Sequence, residues 1–185
     1  NSFIGSNLFY FFKKKNINVK LISYSDFFKK NFFKKDFDYI INCSSNLNFI
    51  QNKYNKKFDH DLQISKKIKC FSTKLVLLST RKIYKPKFNM KENDKKKPNC
   101  NYSKNKLASE NNSKKILKNK ILILRVSNLL GFFNKKSRKL HDTFIDIFVK
   151  NIKKGHIYEN KKIYKDFISI KKFSEIILKL IKINS

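Results

Sequence analysis

Three side chains near the middle of the 185-residue sequence have types and spacing that suit proton transfer. Tyr102 and Lys106 are four residues apart in a helical pattern, so both side chains project from one helix face. A phenol has a pKa of about 10, and a neighbouring ammonium group favours the phenolate and lowers that pKa. The hydroxyl of Thr80 can hold a carbonyl or alkoxide oxygen against the phenol. In a lysine-rich chain, the same spacing also arises between a surface tyrosine and a solvated lysine.

The elements that must position these groups alternate between strand and helix patterns. Apolar runs predict strands at residues 19–23, 38–45, 75–80 and 120–131. Helical patterns are found at residues 3–15, 60–68, 102–110, 143–154 and 171–182. The alternation predicts an α/β fold with a doubly wound parallel sheet. Such sheets bind ligands at the carboxyl ends of their strands, which is where Ser79 and Thr80 lie.

The formal charge of +31 raises the question of a nucleic-acid partner. The sequence has 41 lysines but only 3 arginines, and the lysines are spread along the whole chain. A surface selected to bind phosphates and base edges would be expected to use arginine, whose guanidinium makes paired contacts. We therefore predict no nucleic-acid partner, although the charge still favours an anionic substrate.

Other parts of the composition limit the location and the cofactors. The three cysteines, Cys43, Cys70 and Cys100, lack metal-ligand spacing, so we predict no metal site and a reducing, cytoplasmic location. No apolar run reaches the length of a membrane span, so no membrane partner is expected. The sequence begins with Asn1 rather than methionine, and we interpret it as a fragment. His60, in a charged helical segment, is expected on the surface without a catalytic role.

Several separate segments resemble one family. The strand that ends in Ser79-Thr80, the following Ile83-Tyr84, and Tyr102-x-x-x-Lys106 with Glu110 resemble the active-site segment of the extended short-chain dehydrogenases/reductases. Within that superfamily the segment is similar to the sugar-nucleotide epimerases and dehydratases and to the dTDP-4-dehydrorhamnose reductases. Glu92 and Pro98 match the loop between the two parts.

The same resemblance extends to other segments. Phe3-Ile4-Gly5 resembles the last third of the family's Gly-x-x-Gly-Phe-Ile-Gly motif, with Ser2 at the second glycine. Residues 38–45 resemble the strand whose two terminal alanines pass close to the cofactor, and here these positions are Ser44 and Ser45. Residues 120–131 and 165–170 resemble the Leu-Arg-x-x-Asn-x-x-Gly element, with Asn128 at the asparagine, and the Arg-Asp-Phe-Ile-x-Val return strand.

The resemblance implies a Rossmann-like domain that spans residues 1–185. Its first strand would be missing, and its carboxyl-terminal substrate lobe, to which residues 132–185 contribute, would be incomplete. It implies NAD or NADP as the cofactor and a nucleotide-activated sugar as the substrate, with a homodimer as one candidate assembly. The segment after residues 19–23 leaves the choice of cofactor open, because Asp26 there is expected to cap a helix.

The resemblance also implies roles for single residues. Tyr102 would transfer a proton to or from the sugar, Lys106 would lower the tyrosine pKa and bond the nicotinamide ribose, and Thr80 would hold the reacting oxygen. The implied cofactor-binding residues are Phe3, Ile4, Gly5, Ser44, Ser45, Tyr102 and Lys106. Thr80 and Asn128 would contact the substrate.

The reaction itself is left open between epimerisation, dehydration and reduction. Arg81 occupies the position directly after Thr80, where a dehydratase usually has an acidic residue, and this argues against dehydration. An alternative of a different class is a non-catalytic or degenerate Rossmann-like module, which Ser2 and Lys85 favour because both replace a glycine of the family pattern.

Overall fold

The computed structural model describes residues 2–29, 37–131, 144–156 and 165–183. These residues group into two compact units, each of which is described by itself. The central unit is Ile22–Val126, and the terminal unit combines Asn1–Leu21 with Ser127–Ser185. The single domain expected from the sequence stays a prediction.

The central unit is built on a parallel sheet of three strands in the order β1-β2-β3. The strands are β1 (Tyr39–Asn42), β2 (Lys74–Thr80) and β3 (Ile121–Val126). β2 lies in the middle, and its residues Leu75, Val76 and Leu77 have no exposed surface. A strand covered on both faces needs a continuous apolar run, and this is the pattern that β2 has. The predicted α/β class with a parallel sheet is confirmed.

In the described parts of the central unit, the α-helices are α2 (Tyr24–Lys29), α3 (Leu47–Gln51), α4 (His60–Ile68) and α5 (Asn101–Leu117). Apolar side chains from α2, α4, α5 and β2 form its core. The members of this cluster are Phe27, Ile64, Ile68, Leu75, Leu77 and Leu117. α4 has the predicted bounds, and the carboxylate of its N-cap residue Asp59 accepts a hydrogen bond from the Leu62 N–H at 3.0 Å.

Buried asparagine contacts fix α5, the helix that carries Tyr102 and Lys106. The Nδ2 group of Asn105 donates to the carbonyl of Phe49 at 2.7 Å and to that of Asn52 at 2.8 Å. Asn105 itself is 1% exposed. A second amide, that of Asn101, donates to the Gln51 carbonyl from the surface at 3.0 Å. The first turns of α5 are thereby fastened to α3 and to the loop that follows it.

Asn105→Leu is expected to lower the free energy of unfolding by about 1–3 kcal/mol, because Leu has a similar volume but leaves the buried Phe49 carbonyl without a donor. Urea unfolding followed by circular dichroism measures the loss. The matched control is Asn101→Ala, which removes one exposed hydrogen bond and should change stability by no more than about 0.5 kcal/mol. Equal losses for the two variants would contradict the importance of the buried amide.

Two predicted strands differ in the structure. Residues 17–23 form neither helix nor strand, because a strand needs a ladder partner, and in the described parts of the chain nothing pairs with the outer edge of β1. The predicted strand 120–131 is two strands, β3 and β4 (Asn128–Leu130), which belong to different sheets. The β2–β3 ladder ends at the pair Thr80–Val126, where β2 turns into a short helix, and β3 has no partner beyond it.

The terminal unit contains a second parallel pair, β4 with β5 (Phe167–Ser169). Its helices are α1 (Phe3–Lys14), α6 (Phe144–Lys153) and α7 (Ile170–Ile183). α7 buries Ile170, Phe173, Ser174 and Ile177, a spacing that places one face against α1 and the β4–β5 pair. Gly155 follows α6 with a positive φ of +75°, as the predicted stop requires. Among the helices of the described ranges, none is long and apolar enough to cross a membrane.

Candidate active site

Lys106 lies inside the central unit and not on its surface. Its residue exposure is 6%, and its ammonium nitrogen lies 2.9 Å from Oδ2 of Asp61 on α4. The other oxygen of that carboxylate, Oδ1, accepts a hydrogen bond of 2.6 Å from the Asn42 side chain at the end of β1. The ammonium also lies 5.6 Å from the ring centroid of Phe49, a distance within the range of cation–π attraction.

Tyr102 is partly buried one helical turn before Lys106. Burial raises the pKa of its phenol and is the largest influence. Lys106 lowers this pKa, as the sequence analysis expected, but the negative charges of Asp61 and Cys100 raise it again. The net direction of the tyrosine pKa is upward. Desolvation, which the sequence pattern does not reveal, outweighs the lysine.

Thr80 is buried at the carboxyl end of β2, with an exposure of 6%. Its Oγ1 atom accepts a hydrogen bond of 3.3 Å from the Lys82 N–H and so caps the 3-10 helix Arg81–Ile83. A hydroxyl has two acceptor lone pairs and one donor, so this cap leaves its O–H able to donate. α5 packs against both β2 and the 3-10 helix. The helix that carries Tyr102 and Lys106 therefore packs against the two elements that meet at Thr80.

Ser44 and Ser45 follow β1 and border a narrow depression. Lys106, Asp61 and His60 border it as well. Small side chains at the strand end let another molecule approach the backbone, and the ammonium, carboxylate and hydroxyl groups match the hydroxyls of a ribose. The residues present thus fit the sugar part of a dinucleotide. Three of the predicted cofactor-binding residues, Ser44, Ser45 and Lys106, share this depression.

His60 is half-buried, and the prediction of a surface position for it is wrong. Its Nδ1 atom lies 3.0 Å from the Ser44 hydroxyl, and its ring stacks on Tyr24 with centroids 3.5 Å apart. Burial is the largest cause of a lowered histidine pKa, and Lys106 lowers it further while Asp61 raises it. The ring is therefore neutral over a wider pH range than an exposed histidine. Its position as the first residue of α4 turns it inward, which a charged sequence context does not reveal.

Arg125 joins β3 to α5 through Glu110, which has 2% of its side chain exposed. The guanidinium donates to both carboxylate oxygens, with distances of 3.0 Å from Nε to Oε1 and 2.7 Å from Nη2 to Oε2. Its Nη1 group also donates to the hydroxyl of Tyr84, whose O–H in turn donates to the Glu92 carbonyl at 2.9 Å. Arg125 thus forms one network with three residues of the family-like active-site segment, Tyr84, Glu92 and Glu110.

The remaining predicted site residues lie in the terminal unit. Phe3, Ile4 and Gly5 form the first turn of α1, and the Ser2 hydroxyl caps that helix by accepting from the Gly5 N–H at 3.0 Å. Asn128 uses its side-chain amide to donate to the Asp166 carbonyl at 2.9 Å. The cofactor and substrate roles of these four residues stay predictions.

Asp61 is the residue of this site that the sequence analysis missed. A signal for it exists, because Asp61, Ile64, Ser65 and Ile68 share the spacing i, i+3, i+4, i+7 and form the buried face of α4. A carboxylate on the apolar face of a helix is costly to bury without a partner. That position alone indicates a buried cation nearby. Within the described parts of the chain, no group of three or more His, Cys, Asp or Glu side chains could hold a metal ion.

Comparison with solved structures shows the same fold in enzymes that act on nucleotide-linked sugars. A dTDP-4-dehydrorhamnose reductase from Clostridium acetobutylicum superposes with a TM-score of 0.75 at 20% identity, covering 100% of this chain and 68% of that one. A UDP-N-acetylglucosamine 4-epimerase from Methanobrevibacter ruminantium, in complex with UDP-N-acetylmuramic acid, superposes with a TM-score of 0.64 at 20% identity. This match covers 90% of this chain and 58% of that one. A UDP-glucuronic acid 4-epimerase from Bacillus cereus, in complex with UDP-glucuronic acid and NAD, superposes with a TM-score of 0.65 at 17% identity. This match covers 91% of this chain and 58% of that one.

These structures are all longer than the chain, which spans between about half and about 70% of the lengths of the similar structures. No curated protein sequence matches it. The family model for the NAD dependent epimerase/dehydratase family matches residues 1–184, nearly the entire sequence. The family is NAD-dependent by its description, which agrees with the nicotinamide cofactor that the sequence analysis expected. The chain belongs to the NAD dependent epimerase/dehydratase family.

Proposed function

We propose that the protein is a nicotinamide-dependent epimerase or reductase of a nucleotide-activated sugar, with Tyr102 as its proton carrier. The observation that carries this proposal is the buried ammonium of Lys106, one helical turn from Tyr102 and at the edge of the depression bordered by Ser44 and Ser45. Family membership and the fold shared with such enzymes support it.

Tyr102 would exchange a proton between its phenol oxygen and a hydroxyl or keto oxygen of the sugar. Because burial raises its pKa, the phenol is protonated at neutral pH and can donate without prior ionisation. In the opposite direction the phenolate is required, so the rate of proton removal should rise with pH. The Thr80 O–H would donate to the same sugar oxygen and hold it in line with the phenol.

Lys106 would interact both with Tyr102 and with the cofactor. Its positive charge favours the phenolate of Tyr102, and an ammonium has three donors, of which Asp61 uses one. A remaining donor can bond a ribose hydroxyl of the cofactor. Ser44 and Ser45 would leave space for that ribose, while Phe3, Ile4 and Gly5 would contact the pyrophosphate. When bound, the nicotinamide would accept a hydride from the sugar carbon or return one to it.

The substrate would carry a nucleoside diphosphate group. The formal charge of +31 favours such an anion, and Asn128 would bond the diphosphate. Among the described residues, the three cysteines are reduced, which supports the cytoplasm as the place of the reaction. The homodimer and the absence of a nucleic-acid partner stay predictions.

The experiment that tests the proposal uses the absence of tryptophan from the sequence. Without tryptophan, no energy transfer from indole contributes to the fluorescence of a bound nicotinamide. The protein is first titrated with NADH and NADPH while this fluorescence is followed. UDP- and dTDP-hexoses are added next, and their conversion is followed by chromatography. Saturable nicotinamide binding with conversion of at least one sugar nucleotide supports the proposal. Binding without any conversion would identify a non-catalytic binding module, and no binding would overturn the proposal entirely.

A further inference from the structure

A buried ion pair lies where the proposed mechanism uses only one of its members. Lys106 and Asp61 have side-chain exposures of 8% and 3%, and their charged atoms are 2.9 Å apart. The pair joins α5 to α4, two helices that pack against each other. Ser109, on α5, donates to Asp59 at 2.8 Å and approaches the Oδ2 atom of Asp61 at 3.5 Å.

A buried ammonium group keeps its proton only when a nearby negative charge stabilises it. Removal from water disfavours the charged form and can lower a lysine pKa by several units, so that the amine is uncharged near pH 7. Here burial is the largest influence and acts downward, yet Asp61 and then Tyr102 raise the lysine pKa above its ordinary value. The carboxylate is therefore the contact that reverses the effect of burial.

Charged and titratable groups surround the ammonium on several sides. Asp59, the N-cap residue of α4, is one of them, and α4 itself contributes His60 and Asp61, while α5 contributes Tyr102. Cys43, which follows β1, is half-buried, and desolvation followed by the charge of Asp61 raises its pKa to about 12, so it stays a neutral thiol. Asp59 already accepts bonds from Tyr54, from Ser109 and from the Leu62 N–H. Among these groups, Asp61 is the carboxylate in direct contact with Lys106.

We propose that Asp61 is the positioning residue that keeps Lys106 protonated and fixed one turn from Tyr102. The inference rests on the proposed function, since it assigns the ammonium a role in proton transfer. Asp61 does not touch the reacting atoms. It acts through Lys106, and Asn42 holds it from the opposite side.

A defined pH dependence follows from this arrangement. The active lysine is the protonated form, so activity is lost as pH rises through the lysine pKa. With Asp61 present the lysine pKa is raised, so activity is lost only at a pH above the ordinary lysine pKa of about 10.4. With Asp61→Asn, burial is no longer opposed by the carboxylate, and the loss should move to lower pH by at least about one unit.

The first test measures Lys106 directly and does not depend on turnover. The whole chain and its Asp61→Asn variant are treated with trace acetic anhydride across a pH series, and the acetylation rate of Lys106 is read by mass spectrometry of its peptide. Only the neutral amine reacts, so the pH of half-maximal rate reports the pKa. We expect a decrease of at least about one pH unit in the variant. An unchanged half-maximal pH would overturn the proposal.

Asp94→Asn is the matched control. Asp94 forms an ion pair of the same type with Lys87 at 2.7 Å, but the Lys87 side chain is 51% exposed. Solvent stabilises that ammonium without the carboxylate, so the half-maximal pH of Lys87 should move by no more than a few tenths of a unit. A shift at Lys87 as large as that at Lys106 would show a general charge effect and would contradict the assignment to Asp61.

The second test uses the proposed activity in the direction that removes a proton from the sugar. Tyr102 must ionise for this step, so the wild-type rate rises with pH, whereas the rate of Asp61→Asn should rise and then fall at alkaline pH. A purely structural role would lower the rate equally at every pH. If no sugar nucleotide is converted by the wild type, the proposed function fails, and the acetylation result still decides the role of Asp61.

A double variant covers the case in which Asp61→Asn folds but is too unstable for the acetylation and rate measurements. Lys106→Met removes the ammonium, so Asp61→Asn combined with Lys106→Met has no buried charge left to compensate. We expect the double variant to be more stable than additivity of the single variants allows, by at least about tenfold in the unfolding equilibrium constant. Strict additivity would show that the two charges are not coupled and would overturn the proposal.

Discussion

Tyr102→Phe is expected to lower kcat by about 10²- to 10⁴-fold, the range observed for the loss of a positioned general acid or base. The variant keeps the ring and its packing and removes only the hydroxyl. In the proposed mechanism that hydroxyl is the group that exchanges a proton with the sugar, and Thr80 already uses one lone pair to cap the 3-10 helix Arg81–Ile83. Water in a partly buried site is a poor substitute, because it is neither oriented nor near the required pKa.

The measurement is steady-state turnover of the sugar nucleotide that the screen identifies, together with NADH titration of the same protein. Cofactor affinity should fall by no more than about tenfold, since a single neutral hydrogen bond contributes about 0.5–1.5 kcal/mol. Tyr10→Phe is the matched control, because Tyr10 is 45% exposed on α1. If Tyr102→Phe retains kcat within a few-fold of the wild type while the control is unchanged, another group carries the proton.

Arg125→Met is expected to lower the free energy of unfolding by about 3–5 kcal/mol, because it leaves the buried carboxylate of Glu110 without its partner. Glu110 has 2% of its side chain exposed and receives bonds from two nitrogens of Arg125. Methionine keeps much of the length of the arginine side chain but supplies no donor. The hydroxyl of Tyr84 loses the same guanidinium, so the turn after β2 should loosen as well.

Urea unfolding measures this loss of free energy, and two further variants serve as comparisons. Lys87→Met breaks an exposed pair and should cost no more than about 1 kcal/mol. Arg125→Met combined with Glu110→Met removes both charges and should recover a large part of the stability, since an apolar pair of similar size avoids the cost of burying charge. A loss of less than about 1 kcal/mol for Arg125→Met alone would contradict the view that Glu110 depends on it.

The local pattern of the sequence determined which residues form the main elements. Leu75–Leu78 is apolar without a break, a pattern that is typical of a strand covered on both faces, and β2 is such a strand. The helical spacing of residues 60–68 and the turn residues at their ends gave α4 its bounds. Tyr102 and Lys106 lie four apart in a helix, so their common face follows from helix geometry alone. These features depend only on neighbours along the chain.

The tertiary structure decided which groups meet and which charge states result. The bond between Lys106 and Asp61 joins residues 45 positions apart, and no periodicity selects that partner. The raised pKa of Tyr102 comes mainly from burial, which depends on everything packed around the phenol. The break at Ser127 likewise arises because β2 ends at Thr80 and leaves β3 without a neighbour. Local patterns in the sequence thus predicted β2, α4 and the helix that carries Tyr102 and Lys106. Long-range packing set the partners and the protonation of their side chains, because desolvation and pairing depend on contacts distant along the chain.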